Sequence, residues 1–66
     1  MLGTIDKIQQ KKSRPDRSYG FIAGYDGERY YFNLRGLDDL HVGDEVRFEG
    51  SFNEKGCFAR HIKKII

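Results

Sequence analysis

Asp26-Gly27 separates two stretches of alternating side chains, residues 18–24 and 28–34. Aspartate and glycine tolerate the positive φ that tight turns need, so this dipeptide predicts a hairpin whose two arms are antiparallel strands. The same alternation marks Leu2–Ile8, Glu45–Phe52 and Cys57–Ile65, and Glu54-Lys55-Gly56 predicts a second hairpin between the last two. Leu34, Leu37 and Leu40 recur at a spacing of three, which predicts one helical or 3₁₀ turn between the third and fourth strands. No longer segment carries a helical period. The single proline, Pro15, lies in a polar stretch that reads as a loop, and neither a repeat nor a low-complexity tract interrupts the chain.

These features predict an all-β chain, residues 1–66 forming one domain. Five short strands in 66 residues are too few for a sandwich, and they close most economically into a small barrel. An OB-fold barrel, five-stranded and antiparallel, and an SH3-like or Tudor-like barrel both fit this pattern. A chain of this size buries roughly 60% of the surface that its unfolded form exposes. A deep cavity for a small-molecule substrate is not expected, and function belongs on the outer surface. Five phenylalanines and four tyrosines are more than so small a core hides.

One cysteine, Cys57, allows no internal disulfide, which fits a reducing, cytoplasmic setting. The first residues, Met1-Leu2-Gly3-Thr4, lack the basic and apolar regions of a signal peptide, and no apolar run has the length of a membrane span. The expectation is a soluble monomer without a membrane partner.

Net charge is only +2, but it is unevenly placed. Residues 1–19 carry Lys7, Lys11, Lys12, Arg14 and Arg17 against Asp6 and Asp16, a balance of +3. Residues 20–54 carry eight acids against Arg29, Arg35 and Arg47, a balance of −5, and Lys55, Arg60, Lys63 and Lys64 give the remainder +4. A polyanion would meet the first and last segments and avoid the middle.

Alternation assigns the strand side chains to faces. With Ile22 buried, Tyr19 and Phe21 point outward, and Gly20 and Gly24 lie where another backbone can approach closely. With Tyr30, Phe32 and Leu34 buried, Tyr31 and Asn33 point outward. On paired strands Tyr19, Phe21 and Tyr31 come within reach of one another and make a continuous aromatic platform. Unpaired bases stack on such a platform with about 1–3 kcal/mol each, whatever the base, because every base presents a π-face. Asn33 adds a hydrogen-bonding group, while Lys7, Lys11, Lys12, Arg14 and Arg17 supply phosphate partners at its rim. The residues thus point to single-stranded RNA or DNA. The competing reading is a barrel that recognises a protein through the same aromatic patch.

Arg17-Ser18-Tyr19-Gly20-Phe21-Ile22 resembles the first ribonucleoprotein motif of cold-shock domains, Lys-Gly-Phe-Gly-Phe-Ile, and Tyr30-Tyr31-Phe32-Asn33-Leu34 resembles the second, Val-Phe-Val-His-Phe. The similarity extends to Gly3-Thr4-Ile5, to Leu40 through Phe48 and to Lys55-Gly56 with Ala59 and Ile62. It implies an OB-type barrel that binds single-stranded RNA or DNA as an RNA chaperone or regulator of gene expression, with binding roles at Arg17, Tyr19, Phe21, Tyr31 and Asn33.

The chain departs from that family's pattern. Asp6-Lys7-Ile8-Gln9 stands where the family has Lys-Trp-Phe-Asn, so a lysine replaces the stacking tryptophan; Leu34 replaces a phenylalanine; and the segment from Arg35 to Leu40 is short. A longer, basic loop follows the first strand. Electrostatics is therefore expected to replace part of the stacking, with weaker and more salt-sensitive binding.

Catalysis and a cofactor are not expected. His41, His61 and Cys57 show no metal-ligand spacing, Cys57 has no evident histidine base, the acidic middle reads as a solvated face, and the glycines form no phosphate-binding loop.

Overall fold

The computed structural model describes residues 1–13, 17–34 and 39–65. It contains five strands: β1 (Leu2–Gln9), β2 (Tyr19–Gly24), β3 (Arg29–Asn33), β4 (Glu45–Asn53) and β5 (Gly56–Lys64). Every strand end lies within one residue of its expected position. The strands close into a barrel in the order β1-β2-β3-β5-β4, with β4 returning to β1. This is an OB-fold-like architecture.

The barrel is mostly antiparallel, as expected, with one parallel seam. β3 and β5 run parallel and meet at one register pair, Tyr31↔Phe58, whereas the other four seams are antiparallel. The reason is parity. Strand directions can alternate around a closed ring only if the number of strands is even, so a five-stranded ring in which the rest alternate must contain one parallel seam.

The core is assembled from every strand: Ile5, Ile22, Tyr30, Phe32, Leu34, Leu40, Val46, Phe48 and Ala59, with Ile22 and Val46 wholly inaccessible. Tyr30 and Phe48 meet edge to face at 4.9 Å. Simple alternation would not bury both Ile5 and Ile8, which are an odd number of positions apart. A register shift between Ile5 and Lys7 solves this by setting Asp6 out of the ladder, so that Ile5 opposes Ile22 and Ile8 opposes Gly20. A second shift, between Arg47 and Glu49, does the same for Ala59 and Ile62 on β5. There His61 takes φ 53°, and its Nδ1 meets Glu49 Oε2.

The β2–β3 hairpin forms as expected but by a different turn. Gly27 N–H donates to Gly24 O at 3.0 Å, and Gly24 N–H donates to Glu28 O at 2.8 Å, so the loop is the three residues Tyr25-Asp26-Gly27. Only Gly27 takes positive φ, 90°. Asp26 acts through its side chain: Oδ1 accepts from Glu28 N–H at 3.0 Å and Oδ2 from Tyr30 Oη–H at 2.6 Å. This carboxylate is what an aspartate contributes to a turn that glycine alone could shape. The expected turn through Leu37 falls on residues 35–38, outside the described residues, while Leu34 and Leu40 on either side of it enter the core.

Gly20 is required by close approach. A Cβ there would lie 2.6 Å from Lys7 O and 2.7 Å from the Phe32 ring. Gly20→Ala is expected to destabilise the barrel by about 1–3 kcal/mol through overpacking, measured by urea denaturation.

The Tyr30–Asp26 bond makes stability depend on pH. It holds Asp26 below the usual carboxylate range and pushes the Tyr30 hydroxyl from 10.0 up to about 12. A raised tyrosine contributes stability below its unfolded pKa and loses it on the alkaline side; a lowered aspartate contributes above its unfolded pKa and loses it in acid. The stability difference between the wild type and Tyr30→Phe, measured by thermal denaturation, should therefore shrink as pH rises from 10.0 to about 12 and again at acid pH.

Candidate nucleic-acid interface

The outer faces of β2 and β3 carry three rings. Because Ile22 pairs with Tyr30 and Gly20 with Phe32 on the inside, Tyr19, Phe21 and Tyr31 are set outside in adjoining positions, with Phe21 directly opposite Tyr31. Ring centroids are 5.8 Å apart for Tyr19–Tyr31, 6.0 Å for Tyr19–Phe21 and 5.8 Å for Phe21–Tyr31. The two tyrosines are within 27° of parallel, whereas Phe21 stands at 88° and 69° to them. The three rings cluster as expected, but they are not equivalent: the two tyrosines stack on each other, and Phe21 presents itself to both edge to face. Tyr31 is the most open of the three at 41% exposure.

Register extends this surface across four strands. Lys7 opposes Phe21, which opposes Tyr31, which pairs with Phe58 on β5. Parallel to this row, Gln9 opposes Tyr19, which opposes Asn33. Lys7 and Asn33 are exposed at the margins of the rings. Lys7 therefore occupies the platform's β1 edge, where it offers an ammonium group in place of a plane.

The basic loop is tied to the Tyr19 end of this surface. Lys11 N–H donates to Ser18 Oγ at 2.9 Å, and Ser18 O in turn accepts from Leu34 N–H at 2.9 Å. Ser18 is buried, so the polar side chain fastens the start of the loop to the β2–β3 pair. Lys11, Lys12 and Arg17 are exposed beside this junction. Arg14 lies outside the described residues.

Asp6 on β1 is an acid beside the rings, 3.4 Å from Arg29 Nη2, and a second group of acids lies at β4. Neither β1 nor β4 adds a ring to the cluster; on β4, Glu45 and Glu49 are exposed, and Glu49 is paired with His61. Asp44, just before β4, accepts from His41 N–H at 2.9 Å and lies 3.5 Å from Lys64 Nζ. His41 and His61 are thus exposed partners of single carboxylates.

Two residues near the rings, Arg29 and Phe58, are absent from the site expected on sequence. A cleft of 770 Å³ opens between β3 and the β4–β5 hairpin, and its lining includes Tyr31, Arg29, Phe58 and Lys55. Arg29 was legible, since it shares the outward parity of Tyr31 and Asn33. Phe58 was not, because no local signal says that β5 lies beside β3. No protein-family model, curated protein or solved structure matches this chain.

The Ser18 tether is testable. Ser18→Ala should leave the barrel folded, lower its stability by about 1 kcal/mol, and speed hydrogen exchange at the Lys11 amide. Unchanged exchange at Lys11 would show that the hydroxyl does not hold the loop.

Proposed function

We propose that this protein binds single-stranded nucleic acid, in the manner of the cold-shock domains its two motifs resemble. The observation that carries this reading is the cluster of Tyr19, Phe21 and Tyr31, with centroids at most 6.0 Å apart, next to an exposed Lys7 that opposes Phe21 and to a loop, tied to Ser18, that carries the exposed Lys11, Lys12 and Arg17. An exposed aromatic cluster alone suits many ligands; one bordered by bases, with the acids of β4 on the strand outside it, suits a chain of aromatic rings linked by phosphates.

Tyr19 and Tyr31 supply the stacking planes. Lys7, Lys11, Lys12, Arg14 and Arg17 hold the phosphates, and Asn33 meets a base or sugar edge. In a duplex the base faces are covered by their neighbours, so the platform favours unpaired strands. Binding them draws weak secondary structure open by mass action with no energy source, which is chaperone activity.

Titration of a labelled oligo-U or oligo-dT at low and moderate salt tests this. Tyr31→Ala should lose about 1–3 kcal/mol of binding at either salt concentration. Lys11→Ala should instead reduce the slope of log K against log salt by about 0.7, the single-strand value for one phosphate. No binding at low salt would overturn the proposal and favour the protein-interaction reading.

A further inference from the structure

Arg29 has a setting that phosphate capture does not explain. Its Cζ lies 4.4 Å from the centroid of Phe21, so the guanidinium covers one side of that ring. Its Nη2 lies 3.4 Å from Asp6 Oδ2. Asp6 is the residue that the β1 register shift sets out of the ladder, and this brings a carboxylate from β1 across β2 to the first residue of β3. The carboxylate sits beside one edge of the guanidinium as an exposed ion pair, with the two side chains 54% and 56% accessible. What Arg29 still presents is a plane: one side rests on Phe21, while the side chain as a whole remains 56% exposed.

That side chain also lines the cleft formed with Tyr31, Phe58 and Lys55. Its 770 Å³ falls within the range of about 300–1,000 Å³ typical of ligand sites. We propose that this cleft is a further nucleobase site, in which an unpaired base stacks on the Arg29 guanidinium with Tyr31 and Phe58 as the neighbouring wall and Lys55 near its phosphate. The proposal rests on the single-strand reading above. Guanidinium planes stack on bases as aromatic rings do. Arg29, backed by Phe21 and held by Asp6, thereby restores a stacking plane on a platform whose β1 edge offers only Lys7. Since its free element is a face, the site accepts any base.

The test compares Arg29→Lys and Arg29→Ala with the unsubstituted protein, using labelled oligo-dT and an abasic oligonucleotide of equal length. Lysine keeps the charge and loses the plane. Arg29→Lys is expected to weaken oligo-dT binding by about fivefold or more, the range of one stacked base, with an unchanged salt slope. Its affinity for the abasic strand should stay the same, and thermal denaturation should show both variants folded. Equal binding of oligo-dT by Arg29→Lys and the unsubstituted protein would overturn the proposal. So would tighter binding by Arg29→Ala, which would make Arg29 a cover over Phe21. These outcomes leave the single-strand reading standing, whereas failure of the unsubstituted protein to bind either strand at low salt would overturn both.

Discussion

Everything on the outer surface depends on the register in which β2 meets β3. Ile22 against Tyr30 and Gly20 against Phe32 form the inner wall, and the position without a side chain at Gly20 is what lets Phe32 lie across it. A slip of one residue in β2 would carry Tyr19 and Phe21 into the interior and Ile22 into water, separating the two rings from Tyr31 on β3. The turn fixes the register from one end through Gly27 and Asp26, and the Ser18–Leu34 backbone bond fixes it from the other. The site is therefore a by-product of core packing: each buried aliphatic or aromatic side chain dictates which neighbour stands outside. A small barrel can carry an outer cluster of aromatic rings in this way.

The two register shifts have different consequences. Both let residues three apart face the same core, which a short barrel needs to fill its interior. On β5 the shift places His61 in a left-handed conformation beside Glu49, away from the rings. On β1 it places Asp6 where its carboxylate reaches Arg29 across the sheet. A packing solution thus turns into an electrostatic one, because the displaced residue is charged and meets an arginine already lying on Phe21.

Much of this was legible in the chain itself. Strand positions, the Ile22 and Phe32 core and the outward set of Tyr19, Phe21 and Tyr31 follow from period-two alternation, which is a local property. Three features did not follow. The parallel seam between β3 and β5 is a property of the closed ring, so no single segment announces it, and Phe58 was missed with it. The Asp6–Arg29 pair depends on an irregularity in β1 that alternation cannot express. The unequal orientation of the three rings depends on side-chain packing, and a strand pattern assigns a face but never an angle.

The central claim is that the ring-bearing surface of β2, β3 and the start of β5 is where a single strand lies. Mapping amide and aromatic-ring chemical shifts by NMR during addition of an oligonucleotide tests it most directly. The expected result is that the shifts concentrate on Tyr19, Phe21, Tyr31, Phe58 and the Lys11–Lys12 segment, while Val46, Phe48 and the outer face of β4 stay unchanged. Shifts centred on β4 or on the exposed Phe52 at the hairpin end, with the three rings unmoved, would contradict it.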